Sequence, residues 1–326
     1  MTGRRLRVGI LGCAMIARRS VAPALLRLTD RFELAAVASR DADKARAFAG
    51  EFGCQAVTGY AALIARGDID ALYVPLPTGL HREWVGRAIA AGKHCYVEKS
   101  FAATPGEAET LVDAARERGV AVLEGYMFLY HRQQAMVAES LRMGAIGDLR
   151  HFHGGFGFPP LPADDFRYDE QVGGGVLMDA AGYPLRAAHH LLGEGLEVRA
   201  ASVRCDPRTG TSLWGSAFLA DGSGLGASIA FGFDNFYQCR YELWGSTGKL
   251  VAERAYTPGP AFSPRLILET AQGRREIQVA PDDHFVGALQ AFAQAIFEPA
   301  RRERHYREIL VQSRSLQAIR DLAAHP

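Results

Sequence analysis

Residues 6–17 read LRVGILGCAMIA, and this stretch decides the fold. A six-residue apolar run, 6–11, ends at Gly12 and passes into small residues that open a helix. A dinucleotide-binding unit places its G-x-G-x-x-G pattern here, with glycine where backbone must approach a pyrophosphate and where helix packs on strand. Gly12 fills the first position, and Ala14 and Ala17 fill the second and third. Alanine is tolerated at the third, but at 14 its Cβ intrudes where phosphates approach. A lone turn of this kind is also what an ordinary strand–helix junction looks like. Its context favours the nucleotide reading: a strand before, a helix after, and a second strand ending on schedule. Gly12, Cys13, Ala14, Met15 and Ile16 are then the cofactor turn.

Outward from this turn, short apolar runs alternate with amphipathic ones. Strands are expected at 32–39, 71–74, 94–97 and 120–123. Helices are expected at 16–28, 41–52, 81–91 and 107–118. Pro23 should disturb the first helix, Asp41 should cap the second, and Gly92 should stop the third. This alternation predicts a doubly wound parallel sheet, a Rossmann α/β domain over 1–124. After 124 the rhythm changes. A helix at 133–142 leads into alternating segments at 149–156, 198–203, 214–219, 226–233, 238–244 and 266–269. With turns such as DGSG (221–224) and GSTG (245–248), they predict a large, open, mostly antiparallel sheet. The end, 283–322, reads as helix. The second domain, α+β, should cover 125–326.

The end of the second strand selects the cofactor. NAD sites place an acid there for the ribose 2′-hydroxyl, and NADP sites need a cation for the 2′-phosphate. Here stand Ser39 and Arg40, with Lys44 one helical turn on. A hydroxyl and a guanidinium suit a phosphate, so NADP is expected. Arg40 taken alone would be a solvated surface residue. Asp41 lies past the discriminating position and has capping to do.

The bulk numbers narrow the class. With 326 residues, 48% hydrophobic and 22% charged, the chain suits two soluble globular domains. A net charge of +1 gives no field to draw it to nucleic acid or membrane. Its five cysteines show no CxxC pair, which argues against a disulfide framework or a metal site and for a reducing cytoplasm. The basic start before 6–11 is too short a leader, and no stretch is long enough to span a membrane.

Four further segments carry a resemblance: GILGCAMIA (9–17), PLPTGLH (75–81), AAGKHCYVEKS (90–100) and GGGVLMDAAGY (173–183). In order and spacing they resemble the glucose–fructose oxidoreductase / inositol dehydrogenase / MocA-type family, over nearly the whole chain. The resemblance implies a Rossmann domain followed by a substrate-binding and oligomerisation domain. It makes Lys99 the lysine of a Glu-Lys-Pro motif, with Ser100 in place of proline. Leu76 and His81 would border the nicotinamide and ribose, and Glu98 would orient the lysine or the cofactor. Asp179 and Tyr183 match an Asp-x-x-x-His pattern, with tyrosine for histidine. Four apart, they would share a helix face.

The chemistry holds without the family. Ketone reduction needs a hydride from nicotinamide and a proton for the nascent alkoxide. A lysine ammonium can polarise the ketone oxygen and then donate, and burial would lower its pKa toward working pH. Taken alone, Lys99 would be a surface lysine. Its place after the carboxyl end of a parallel strand, where such sheets bind ligands, argues otherwise. Tyr183 can donate a second hydrogen bond or relay the proton, or it can simply be a pocket-wall tyrosine.

Within the family, GCAMIARR (12–19), YVPLPTGLHREW (73–84), 157–188 and 241–260 are similar to sugar-nucleotide 3-ketoreductases of bacterial deoxysugar pathways. Those enzymes reduce, with NADPH, the C3 ketone of a dTDP-linked 3,4-diketo-2,6-dideoxyhexose, and their sugars decorate antibiotics. The resemblance implies that Arg167 and Asp179 touch the cofactor, and that Arg19, Tyr241 and Thr257 line a nucleotide-sugar site. Tyr241 also reads as a core strand residue, Thr257 as a turn residue, and Arg19 as a solvated helix residue. A homodimer or tetramer is expected. Two other readings stay open: a dehydrogenase of a free sugar, polyol or dihydrodiol, and a non-catalytic NADP-sensing regulator. The presence of Lys99 speaks against the regulator.

Overall fold

The computed structural model of the chain describes residues 5–162, 164–169 and 174–324, organised as two compact units. The first holds the chain up to Gly125 together with Phe285–Leu310. The second holds Tyr126–His284 and the chain from Val311 on.

Six strands form the sheet of the first unit: β1 (Leu6–Leu11), β2 (Phe32–Ser39), β3 (Gln55–Thr58), β4 (Ala71–Val74), β5 (His94–Val97) and β6 (Val122–Glu124). All pairs are parallel, in the order β3-β2-β1-β4-β5-β6. This is the doubly wound dinucleotide-binding order, and its chain reversal lies between β1 and β4. Helices cover both faces, so the central strands read as continuous apolar runs, with Ile10, Leu11, Val37, Leu72 and Val74 inaccessible to solvent. β3 escaped the sequence reading. It is a four-residue edge strand, largely exposed, and carries no alternation to read.

The helices of this unit begin with α1 (Ala22–Arg27), preceded by a π turn at Ala17–Val21 in which Ala22 N–H donates to the Ala17 carbonyl. This is the irregularity expected at Pro23, which cannot donate to the carbonyl four residues back. Next come α2 (Ala42–Phe52), α3 (Tyr60–Ile64), α4 (His81–Ala90) and α5 (Pro105–Arg118). Asp41 caps α2 as expected, accepting from Asp43 N–H at 2.9 Å and Lys44 N–H at 3.1 Å.

The second unit contains α6 (Arg132–Arg142), α7 (Gly182–Leu192) and eight strands: β7 (Leu149–Gly157), β8 (Glu197–Cys205), β9 (Ser212–Ala220), β10 (Gly226–Gly232), β11 (Gln238–Gly245), β12 (Gly248–Glu253), β13 (Arg265–Thr270) and β14 (Gly273–Gln278). Their order is β14-β13-β12-β11-β7-β10-β9-β8. Only β7 and β10 pair in parallel among these neighbours. One face buries Phe152, Phe156, Ile229, Phe231, Tyr241 and Leu243. The alternate positions are bare: Trp214, Phe218 and Trp244 are 46%, 42% and 63% exposed. Toward β14 that bare face becomes charged, with Lys249 bridging to Glu269 at 3.3 Å and Arg265 to Glu276 at 3.3 Å. β14, GRREIQ, is a charged edge that discourages further strand pairing.

The helical end is α8 (His284–Phe297) and α9 (Pro299–Ala324). The sequence reading kept this stretch within 125–326, but Phe285–Leu310 packs with the first unit. The Phe292 ring lies 6.0 Å from that of Tyr96, tilted by 42°, Tyr306 donates to the Val120 carbonyl at 2.5 Å, and Arg116 meets Glu303 at 3.1 Å. The remainder of α9 serves the second unit, where Ser315 Oγ lies 3.0 Å from His189 Nε2.

Candidate functional site

In the first unit the candidate residues gather where β1, β2, β4 and β5 end, at the carboxyl edge of the sheet, where open α/β sheets hold their ligands. Gly12 follows β1 with φ +115°, a left-handed conformation that favours glycine. Its N–H donates to the Ala38 carbonyl at 2.9 Å, and a Cβ there would sit 3.1 Å from Leu76 Cδ2. Cys13, Ala14 and Ile16 are half-buried, while Met15 is 69% exposed. Cys13 donates through sulfur to the Lys44 carbonyl at 3.5 Å. Burial pushes its thiol up, against Arg18, Ser39 and Lys44.

Ser39 is buried at the end of β2, and its Oγ accepts Asp41 N–H at 3.1 Å. Arg40 and Lys44 are exposed. The Asp41 carboxylate faces the α2 N-terminus, so two exposed cations stand beside an acid engaged in capping. A glycine cradle, an exposed methionine and these cations fit a dinucleotide carrying a 2′-phosphate.

Glu98, Lys99 and Ser100 form the loop after β5. Lys99 is half-buried rather than at the surface. Neighbouring elements hold the loop from several sides. Glu98 N–H donates to the Val74 carbonyl at 3.1 Å, and Tyr73 donates its hydroxyl to Glu98 Oε1 at 2.7 Å. Phe101 N–H donates to Glu124 Oε1 at 2.9 Å. Gly125 N–H donates to the Val97 carbonyl at 2.8 Å. The Lys99–Ser100 peptide is cis although residue 100 is serine. Tyr73, Glu124 and Gly125 were missed by sequence reasoning, where Tyr73 read only as a strand residue and the other two lay at the domain boundary.

His81 departs from its expected role. The side chain has no accessible surface, and both ring nitrogens face backbone. Nδ1 lies 2.9 Å from the Ser100 carbonyl oxygen and 3.1 Å from that of Phe101, and Nε2 lies 2.8 Å from the Leu76 carbonyl oxygen. Burial lowers its pKa, with the three carbonyls opposing. Its two nitrogens are engaged by the protein backbone.

In the second unit Arg167 and Asp179 come together. Arg167 Nε donates to Asp179 Oδ2 at 3.0 Å, and Nη1 donates to Asp165 Oδ1 at 3.1 Å. Burial works against the guanidinium, and the two carboxylates outweigh it, so its pKa is raised. Gly174 N–H donates to the Asp169 carbonyl at 2.9 Å and Gly175 N–H to the Arg167 carbonyl at 2.7 Å. A Cβ at Gly174 would lie 2.6 Å from the Arg167 carbonyl, so glycine is required for this backbone approach. Residues 163 and 170–173 of the quoted segments lie outside the described residues.

Asp179 sits in a second π turn, Leu177–Ala181, which leads into α7. Tyr183 is 6% exposed among aromatic rings, with Phe156 at 4.6 Å, Tyr126 at 5.6 Å and Tyr256 at 6.0 Å. Of the two readings of Tyr241, the structure shows the core strand residue. It is wholly buried on β11, stacked 5.4 Å from Phe152, and its hydroxyl donates to Gln134 at 2.7 Å. The core takes it because alternation along β11 turns position 241 inward. Thr257 is half-buried, with Oγ1 3.6 Å from Cys239 Sγ. Arg19 is exposed beside Met15.

A cavity of about 440 Å³ at Arg254, Phe262 and Arg265 includes none of the candidate residues. Among the described residues no group of three or more His, Cys, Asp or Glu could hold a metal ion, and no helix is long and apolar enough to cross a membrane.

Comparison with known proteins follows the same division. Residues 6–126 match the oxidoreductase family with NAD-binding Rossmann fold, and residues 135–251 match the GFO/IDH/MocA C-terminal domain. A dTDP-3,4-didehydro-2,6-dideoxy-alpha-D-glucose 3-reductase of Streptomyces violaceoruber is 44% identical over 296 residues, covering 90% of this chain and 86% of that protein. One from Streptomyces antibioticus is 40% identical, covering 99% and 98%. The 3-ketoreductase KijD10 of Actinomadura kijaniata, solved with NADP and TDP-benzene, superposes with a TM-score of 0.93 at 39% identity, covering 98% of each chain. That protein has also been solved with a tyrosine replaced by phenylalanine and with a lysine replaced by alanine. The chain belongs to the GFO/IDH/MocA oxidoreductase family.

Proposed function

We propose that the chain reduces the C3 ketone of a dTDP-linked 3,4-diketo-2,6-dideoxyhexose with NADPH, and that Lys99 supplies the proton. The observation that carries this reading is the braced, half-buried Lys99 at the end of β5, in a chain 44% identical to a reductase of that substrate class.

When bound, NADPH supplies the hydride that becomes the C3 hydrogen. Gly12 to Ile16 would hold the pyrophosphate at the helix start, and Ser39, Arg40 and Lys44 would hold the 2′-phosphate. The Lys99 ammonium hydrogen-bonds the ketone oxygen, stabilises the charge that develops there, and transfers one proton to it. The neutral amine then regains a proton from solvent. Tyr183 is assigned a hydrogen bond to the substrate. Arg167, neutralised by Asp165 and Asp179, contributes as a positioned donor beside the cofactor rather than as a free cation. Arg19 and Thr257 contact the nucleotide sugar. The relative solved with NADP and TDP-benzene supports the ligand classes, and the lysine and tyrosine replaced in its variants support the attention to Lys99 and Tyr183.

The bare sheet face with Trp214, Phe218 and Trp244 supports assembly of identical chains through that face, and sedimentation velocity reads the dimer or tetramer directly. The five free cysteines suit a cytoplasmic enzyme.

Calorimetric titration with dTDP tests the substrate class. Binding to the NADP-saturated protein, competitive with the keto-sugar, is expected. A protein that reduces ketones yet ignores dTDP acts on a free sugar or polyol instead.

A further inference from the structure

We propose that His81 is a positioning residue for the reaction: its buried imidazole ties the loop after β4 to the loop after β5 and thereby sets the placement of Lys99. The proposal rests on the reading of Lys99 as proton donor.

Three observations carry it. The ring is inaccessible to solvent, so it cannot touch a ligand in this arrangement. Its two nitrogens face opposite ways, toward two segments far apart in sequence. Nε2 lies 2.8 Å from the Leu76 carbonyl oxygen, on the loop that follows β4. Nδ1 lies 2.9 Å and 3.1 Å from the carbonyl oxygens of Ser100 and Phe101, immediately after Lys99. The same short segment is gripped from the other side, where Glu124 Oε1 accepts Phe101 N–H at 2.9 Å.

The geometry explains why the grip matters. β4 and β5 are adjacent parallel strands, paired from Ala71↔His94 to Val74↔Val97. Beyond Val74 and Val97 the two chains leave the sheet, and the strand ladder no longer sets their separation. His81 opens α4, so its Cα is anchored by a helix of ten residues. From there the imidazole reaches both loops through rigid ring geometry. A neutral ring carries one N–H, which donates to one loop and leaves the other nitrogen's lone pair against a carbonyl. Full satisfaction needs protons on both. The side chain therefore couples the two loops mechanically in either state, because its ring fills the space between them. Ser100 stands where the resembled motif has proline, so the Lys99 loop depends on such external braces.

Proton transfer is steep in distance. A displacement of about 1 Å in a catalytic group costs roughly 100-fold in rate. His81→Phe keeps the ring volume and removes both nitrogens, and His81→Gln keeps two N–H donors on a flexible stem.

The test is a double-mutant cycle with Lys99→Ala, read as kcat, with NADPH affinity followed by fluorescence. His81→Phe is expected to lower kcat by about 10- to 100-fold, with NADPH affinity changed less than kcat. His81→Gln is expected to recover part of the loss and covers the case in which the phenylalanine variant does not fold. In the Lys99→Ala background the same His81 changes are expected to leave the residual rate unaltered, since the group they position is gone. A further drop in that background means that His81 acts generally on the fold and overturns the proposal. So does wild-type kcat in both His81 variants. If instead Lys99→Ala alone keeps wild-type turnover, the proton-donor reading has failed first, and with it the basis for this one.

Discussion

Tyr73 donates its hydroxyl proton to Glu98 Oε1 across 2.7 Å, joining the inside of β4 to the residue that precedes Lys99. The phenol is almost wholly buried, 1% exposed, and tilts against Tyr96 at 5.2 Å. A buried hydroxyl bonded to a carboxylate orients that carboxylate more firmly than water could. Tyr73→Phe keeps the ring packing and removes the bond. We expect a loss of about 1–2 kcal/mol in denaturant unfolding. We also expect a several-fold lower kcat with little change in the cofactor affinity. Unchanged stability and turnover would show that Glu98 does not need this partner.

Arg167 is the second test. Its ion pairs with Asp165 and Asp179 are partly shielded, so their worth lies between the exposed and buried limits, about 1–2 kcal/mol. Arg167→Ala leaves two carboxylates facing each other without their shared cation. The expected result is a loss of that order in stability and weakened NADPH binding. Arg167→Lys should recover only part of both, because an ammonium cannot span the two acids as a planar fork does. Full recovery with lysine would mean that charge alone suffices.

Cofactor choice is placed on Ser39 and Arg40. Losing one charge-assisted contact to a phosphate costs about 1.5–3 kcal/mol, or roughly 10- to 100-fold in affinity. Arg40→Asp should weaken NADPH by at least that factor and leave NADH the better substrate. Parallel kcat/KM measurements with the two cofactors read this out. An unchanged ratio would place the 2′-phosphate elsewhere, with Lys44 the first residue to examine.

Acid stability follows from three histidines that the fold shields, His189 and His284 buried and His94 half-buried. Burial, with the field of Arg302, holds His94 down to about 4, and burial does the same for His189. Burial, with His131, holds His284 down to about 4. His94 is also committed as a neutral ring, since its Nδ1 accepts Ala121 N–H at 2.9 Å. In the unfolded chain each takes up a proton near pH 6.5. Between that value and about 4 the unfolded state binds more protons than the folded one. Stability is therefore complete above pH 6.5 and falls with acidification. The limiting slope is about 1.4 kcal/mol per pH unit for each histidine. Urea midpoints should hold between pH 7 and about 6.5 and decline from there to pH 4.5, and a flat profile below pH 6.5 would contradict this assignment.

What the sequence revealed, and what it concealed, has a physical pattern. β1, β2, β4 and β5 were legible to the residue, because strands buried on both faces must be apolar along their length. The edge strands β3 and β14 were not, because half of each pairs with nothing and solvent tolerates any side chain. Asp41 was readable as a cap because capping is local. The braces around Lys99 were invisible, since Tyr73, His81 and Glu124 reach that loop only through the tertiary fold. The split of the helical end also depends on long-range packing, such as Tyr306 on Val120. The inward side of Tyr241 was legible as one of two readings, because strand alternation is local.

Lys99 is the proton donor in this mechanism, and the most direct measurement compares Lys99→Ala with the native chain. NADPH affinity is read by fluorescence, and ketone reduction is read by loss of NADPH absorbance with the dTDP-linked keto-sugar. Removing a general acid costs about 100- to 10,000-fold in rate. The predicted result is a turnover lowered by that factor while NADPH affinity stays within a few-fold of native. Turnover equal to the native chain would contradict the assignment of Lys99 as the proton donor.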